Sequence, residues 1–415
     1  MREMAASPIN LDHNATTPLA PTVAEAMAAA ERDFPGNPAS QHQLGRAARS
    51  QLEQIRERIG AILGLHLVDR TAAADRLIFT SGATEANNLV LRGLAGNEPA
   101  TILVSAIEHP SVLLAAEALA EAGHQIERIP VDGAGRVQLA ALEKLLTDRA
   151  DGLTVGPPIR LVSVMLGNHE TGVLQPIRDI ATLCTAHGIP LHTDASQAVG
   201  KIPVDFRDLG AGAMTLSAHK FHGPRGIGAV LLRQDIPLSP LLFGGPQQQG
   251  LRPGTESLAL PAGMLAALEA AEEDTTATER MAQLRNDFEG EITAAAPEVT
   301  VIGQDADRLP HVSCLAFEPL DRQALFLALD LAGVVCSTGS ACESGSSEPS
   351  PVLAEMGCRP GQINSALRFS LGRLTQAQEM AQAASRILPI YKDLRERSEG
   401  SKTAVPATRG GHKTL

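Results

Sequence analysis

From about residue 75 the chain alternates short apolar runs with longer stretches patterned for helix, and this alternation restricts the fold more than any other feature. RLIFT (76–80), TILVSA (101–106), RLVSVML (160–166), IPLHTD (189–194), AMTLSA (213–218) and IGAVLLR (227–233) read as buried strands. SVLLAAEALAEAG (111–123) and IRDIATLCTAHG (177–188) lie between strands and carry helical spacing. Strands with no polar face need cover on both sides, and the intervening helices provide it. The expected class is α/β, with a mainly parallel central sheet flanked by helices and joined by right-handed crossovers.

The pattern changes after GGPQQQGLRPGTES (244–257), a loop rich in Gly, Pro and Gln. One long Ala/Glu helix is expected over roughly 259–296, then strands around VSCLAFE (312–318) and LRFSLGR (367–373). This gives a large domain over 16–258 and a smaller α+β domain from 1–15 and 259–395. Residues 396–415 lack an apolar pattern at their end and are expected to form a disordered tail.

A formal charge of −12 argues against direct nucleic-acid binding, because the surface would repel phosphates. The N-terminal MREMAASPINLDHN has no apolar core of signal-peptide length, and no run long enough to span a membrane occurs, so a cytoplasmic protein is expected. The five cysteines, at 184, 314, 336, 342 and 358, are odd in number and form no CxxC pair. Neither a disulfide framework nor a zinc ribbon is supported.

Several short motifs carry chemistry. In FTSGATEANN (79–88) a strand runs through Gly82 into a helix whose first N–H groups and positive dipole end suit a phosphate, although an ordinary helix cap reads the same way. In HTDASQAVG (192–200), Asp194 sits at a strand's carboxyl end; it is either a cap or a carboxylate that holds a proton on a heterocyclic nitrogen. Lys220, in TLSAHKFHGPRGIG (215–228), leaves an apolar strand into a crowded turn, where partial desolvation makes an amine nucleophilic. Ser217 and His219 add phosphate-binding capacity. His109, in EHP (108–110), lies at another strand end, where it can stack on an aromatic cofactor. Cys336 belongs to an apolar run and reads as core, whereas Cys342 lies in the Ser/Gly loop STGSACESGSSEPS and reads as an exposed candidate nucleophile. A metal held by His219 and His222 finds no further ligand at a suitable spacing nearby.

Together these stretches resemble the cysteine desulfurases of the nitrogen-fixation and iron–sulfur-cluster group, within the class V aminotransferases and the type I fold of pyridoxal-phosphate enzymes. The likeness runs in order through LDHNATTPLAP, FPGNPAS, SGATEANN, EHP, GNHETG, HTDASQAVGK, SAHKFHGPRGIG, RPGTES, STGSACESGSSEPS and RFSLGR. It implies pyridoxal 5′-phosphate as cofactor, with Lys220 as its Schiff-base lysine and a catalytic role for His109, which stacks on the ring. It assigns Ala83, Thr84, Ser217 and His219 to the phosphate, Asp194 to the ring nitrogen and Gln197 to the phenolic oxygen. Thr255 would reach the phosphate of a neighbouring subunit, so a homodimer is implied. Arg368 would bind the carboxylate of L-cysteine, with Asn168 also at the substrate, and Cys342 would take the sulfur as a persulfide. An acceptor protein, either an iron–sulfur scaffold or a thiolation protein, would receive it, and Cys342 is also a candidate ligand of a transferred cluster. Two positions depart from the family pattern. His169 stands where an Asn that contacts the phenolic oxygen is usual, so altered tuning of the cofactor is expected. Glu343 follows Cys342, and its charge is expected to raise the thiol pKa. The competing readings are another pyridoxal-phosphate enzyme, which would not need Cys342, and a non-catalytic sulfur or metal carrier, which would not need Lys220.

Overall fold

The computed structural model describes residues 8–67, 74–339 and 349–403. The strands in chain order are β1 (Ile9–Asn10), β2 (Arg76–Thr80), β3 (Thr101–Ser105), β4 (Gln125–Ile129), β5 (Ile159–Ser163), β6 (Leu191–Asp194), β7 (Ala213–Ser217) and β8 (Gly228–Leu232), followed by β9 (Thr300–Val301), β10 (Val312–Ala316), β11 (Val334–Val335) and β12 (Ala366–Ser370). β2 to β8 form one seven-stranded sheet in the order β2-β8-β7-β6-β5-β3-β4. Pairing from β4 through β7 is parallel, and β8 is antiparallel to both its neighbours. Every residue of β3, β6, β7 and β8 is buried, as strands covered on both faces require.

All six strands expected within 76–233 belong to this sheet. The seventh, β4, was not anticipated. It lies at the sheet edge, is mostly half-exposed, and reads QIERI, so it lacks an apolar run; charged residues there also guard an open edge.

The helix expected over 259–296 is two helices, Ala259–Glu273 and Ala277–Ala295. The break falls at Asp274, whose carboxylate binds Arg280 at 2.7 Å and 3.2 Å and lies 3.7 Å from Arg373. Those ion pairs hold the chain in a turn where the Ala/Glu pattern suggested continuity. At the C-terminus the helix Ala377–Thr403 runs into the stretch expected to be disordered from residue 396, and positions 404–415 lie outside the described residues.

The N-terminal segment joins the later strands. β1 pairs with β11 in parallel, Asp12 bridges to Ser370, and β10 pairs with β12 and β9 in a second antiparallel sheet. Just beyond β1 the chain crosses to the carboxyl ends of the large sheet, where the Thr17 N–H donates to the carbonyl of His219 at 2.9 Å. No helix among the described residues is long and apolar enough to cross a membrane.

Candidate active site

The carboxyl ends of β2, β3, β6 and β7 surround a cavity of about 470 Å3. Its walls include Ala83 and Thr84 from the first turn after β2, His109 after β3, Asp194 and Gln197 at the end of β6, and Ser217, His219 and Lys220 after β7. His169 and Arg368 complete it from the 167–170 turn and from β12. Residues far apart in sequence meet here because a parallel sheet brings its loops out at one edge.

The helix Ala83–Ala95 has Gly82 as its cap residue, and no side chain caps it; Gly82, Ala83 and Thr84 line the cavity together with Ser217, so the uncapped N–H groups of the first turn belong to its wall. The close approach of β8 creates this seat. A Cβ on Gly228 would lie 2.5 Å from the carbonyl carbon of Gly82 and 2.7 Å from the oxygen of Leu216. His219 hydrogen-bonds Thr16 Oγ1 at 3.2 Å, and burial, with Lys220 and Lys201 nearby, lowers its pKa to about 4. It is therefore neutral at pH 7, and Arg225, which is exposed, adds a cation to the cavity wall on this side.

Lys220 lies on the 3-10 turn Ala218–Lys220 and is half-buried. Its Nζ donates to the carbonyls of Asn14 at 2.5 Å and Ala15 at 3.0 Å. The turn is secured by His222, which adopts φ 68° while its N–H donates to Thr17 Oγ1 at 2.6 Å. Opposite, the Asp194 carboxylate accepts from the Ser196 N–H at 2.9 Å and from Asn87 Nδ2 at 2.8 Å. Gln197 donates through Nε2 to the carbonyl of Asn14 at 3.1 Å and accepts from Lys201 Nζ at 3.0 Å. Lys201 is buried, and desolvation, then Lys220 and Arg368, pulls its pKa well below the usual lysine value.

His109 and His169 meet edge to face, with ring centroids 5.2 Å apart. Burial, reinforced by His109, Arg368 and Lys220, keeps His169 neutral; neither ring nitrogen makes a hydrogen bond, and Nε2 lies 3.6 Å from Glu170 Oε1. A buried donor and acceptor on a cavity wall is the arrangement a polar ligand would satisfy. Arg368 is 2% exposed; it donates to the His169 carbonyl at 3.0 Å and to Asp12 at 2.7 Å, which leaves further N–H groups of its planar fork unengaged, Nε among them.

Two expected residues stand apart from this wall, and a third lies outside the described residues. Asn168, expected at the substrate, turns inward: its Oδ1 accepts from the N–H groups of Glu170 and Thr171, both at 2.9 Å, and its Nδ2 donates to the Ile107 carbonyl at 3.1 Å. It shapes the 168–171 turn and does not line the cavity. Thr255 is exposed and lies outside the cavity wall of its own chain. Cys342, with Glu343, lies outside the described residues; Cys336 is buried core.

Sequence reasoning also missed residues. Asn14 is the hub, since its carbonyl accepts from Lys220 and Gln197, its Nδ2 donates to the His169 carbonyl at 3.0 Å, and its Oδ1 meets His311 Nε2 at 2.9 Å. Glu108, beside His109, is fully buried; burial, with Asp194 nearby, pushes its carboxyl pKa well above the ordinary range, and it accepts from the Met165 N–H at 2.6 Å. A glutamate three positions beyond the buried strand β3 was the available signal for Glu108. Asn14 lies in the LDHNATTPLAP stretch, but nothing there singled out its side chain.

The donor set fits pyridoxal phosphate. Uncapped helix N–H groups beside a hydroxyl suit its phosphate, and a carboxylate, a half-buried amine and the His169 ring, whose nitrogens make no hydrogen bond, line the same cavity. Comparison with known proteins agrees with this geometry. Residues 9–382 match the aminotransferase class-V family model. The chain is 38% identical over 390 residues to a cysteine desulfurase of Cereibacter sphaeroides, covering 93% of this chain and 96% of that one. It is 37% identical to the cysteine desulfurase IscS of Dictyoglomus turgidum, covering 93% and 95%. A NifS-like protein from Rickettsia africae superposes with TM-score 0.81 at 29% identity, over 93% of this chain and 99% of that one. The chain belongs to the aminotransferase class-V family, and within it to the group of cysteine desulfurases.

Proposed function

We propose that this protein is a pyridoxal-phosphate-dependent cysteine desulfurase. It takes sulfur from L-cysteine, releases L-alanine, and holds the sulfur as a persulfide on Cys342 for an acceptor protein, an iron–sulfur scaffold or a thiolation protein. The observation that carries the reading is the half-buried Lys220 amine sharing one cavity with Asp194, Arg368 and an uncapped helix N-terminus.

In this reading the N–H groups at Ala83 and Thr84, with Ser217 and His219, hold the cofactor phosphate, and His109 stacks on the ring. Asp194 keeps a proton on the ring nitrogen, while Gln197 and His169 serve the phenolic oxygen. When bound, the cofactor supplies a conjugated electron sink. Arg368 orients the substrate carboxylate through its fork, and the Lys220 amine moves the proton at the substrate α-carbon. The Cys342 thiolate attacks the substrate sulfur; the S–S bond forms as the C–S bond breaks, the electron pair returns to the carbon skeleton, and a proton at Cβ completes alanine. The protein acts in the cytoplasm as a homodimer, with Thr255 reaching the partner's phosphate. The cofactor domain spans 16–258, and the domain of 1–15 and 259–395 carries the Cys342 loop.

The test is to give the purified protein L-cysteine, quantify alanine, and map added sulfur by mass spectrometry, with Cys342→Ala run in parallel. Alanine from the unaltered protein alone, with one extra sulfur on Cys342, is the expected result. Equal activity in the variant would sink the persulfide mechanism.

A further inference from the structure

Behind the cavity wall, none of them lining it, lie four polar side chains that the mechanism above does not use: Ser163 on β5, His192 on β6, Thr215 on β7, and Asn87 on the helix Ala83–Ala95. All are 0% exposed. Ser163 Oγ meets His192 Nδ1 at 2.9 Å, His192 Nε2 meets Thr215 Oγ1 at 3.1 Å, and Thr215 Oγ1 meets Asn87 Oδ1 at 2.5 Å. Asn87 Nδ2 then branches to Asp194 Oδ2 and to Ser111 Oγ, both at 2.8 Å. Ser111 reaches His109 Nδ1 twice, through its hydroxyl at 2.8 Å and its backbone N–H at 3.1 Å.

Counting protons gives the chain a single direction. The Asn87 amide must turn its NH2 toward Asp194 and Ser111, because the flipped amide would set its carbonyl oxygen against a carboxylate. Its Oδ1 is then an acceptor, so the Thr215 hydroxyl donates to it. That hydroxyl has no second proton, so His192 Nε2–H donates to Thr215. Burial lowers the His192 pKa to about 4, against an opposing pull from Asp194; the ring is neutral and its Nδ1 accepts from Ser163. At the far branch, the Ser111 N–H can only donate. His109 Nδ1 is therefore an acceptor, and the ring, which burial keeps neutral, carries its proton on Nε2.

We infer that Asn87 is a positioning residue: held by the His192–Thr215 chain, it orients the Asp194 carboxylate and, through Ser111 Oγ, seats the His109 ring, whose Nε2–H tautomer the Ser111 N–H fixes. Asp194 receives neutral donors on both oxygens, Asn87 on one and the Ser196 N–H on the other, so it is aimed without its charge being cancelled. This deepens the cofactor reading above and rests on it only for what the two groups serve.

The full chain, labelled with 15N-histidine and assigned with His192→Gln, reports the His192 tautomer, which the orientation of Asn87 sets through Thr215, directly before pyridoxal phosphate is added. A single Nε2–H pattern is expected; a proton on Nδ1 overturns the inference without any change to the core. Thr215→Val, a near-isosteric loss of the relay hydroxyl, is then compared with Thr215→Ser, which keeps it. Expected for the valine variant is about tenfold weaker pyridoxal-phosphate binding by absorbance titration, with the serine variant close to the unaltered protein. A valine variant that binds as tightly overturns the inference. Failure of the unaltered protein to bind pyridoxal phosphate would fall on the cofactor reading instead, and the tautomer would still decide the role of the chain.

Discussion

Replacing Gly228 with alanine adds one methyl group behind the phosphate seat, where nothing can rotate aside. The new carbon would stand 2.5 Å from the Gly82 carbonyl carbon, 2.8 Å from Gly82 Cα and 2.7 Å from the Leu216 oxygen, all backbone atoms. An ordinary carbon–carbon contact is about 3.5 Å, so the 81–83 turn must recede by roughly 1 Å. Overpacking of this kind costs about 1–3 kcal/mol. Across 415 residues the unfolding entropy is large, so the apparent Tm should fall by only about 1–4 °C. Cofactor affinity should fall far more, by about tenfold or greater, because the uncapped N–H groups of residues 83–84 move with the turn. Absorbance titration with pyridoxal phosphate and a thermal melt measure the two effects. Gly290→Ala is the control: it lies within the helix Ala277–Ala295 with nothing within 4 Å of the new methyl, and should gain about 0.5–1 kcal/mol of stability with unchanged cofactor binding. A Gly228→Ala protein that melts lower yet binds the cofactor normally would refute the assignment of the Gly82 turn as the phosphate seat.

Arg368→Lys keeps the charge but loses the planar fork and its hold on Asp12; the KM for L-cysteine should rise about 10- to 100-fold, and an unchanged KM would remove Arg368 from the substrate site. Stability should fall with acid. Burial holds His13 and His192 at about 4 in the folded protein against 6.5, so the unfolded chain binds more protons between those values. Their contribution is complete above pH 6.5 and is lost as the pH falls toward 4. Thermal melts from pH 8 to pH 5 check this, and a flat Tm over that range would contradict it.

Much of this architecture was legible in the chain. The six strands within 76–233 could be read because burial on both faces writes an unbroken apolar run into a few consecutive residues. Lys220, Asp194 and His109 could be flagged because each ends or closely follows such a run. Other features were hidden for physical reasons. β4 carries charges because it is an edge, and the 259–296 stretch has helical composition throughout, although ion pairs to Asp274 break it. Asn168 looked like a ligand beside His169, yet the turn that it organises absorbs its amide.

The sequence by itself determined the layered α/β plan and the chemistry available at the strand ends, because periodicity and turn residues act over a few positions. Only the tertiary structure decided which atoms meet there. Asn14 reaches Lys220 across 206 positions, and Asn87 reaches Asp194 across 107. A buried polar atom must bond to whatever packs beside it, so the partners of Lys220 and Asp194 are set by the folding of distant segments against each other and leave no local mark in the chain.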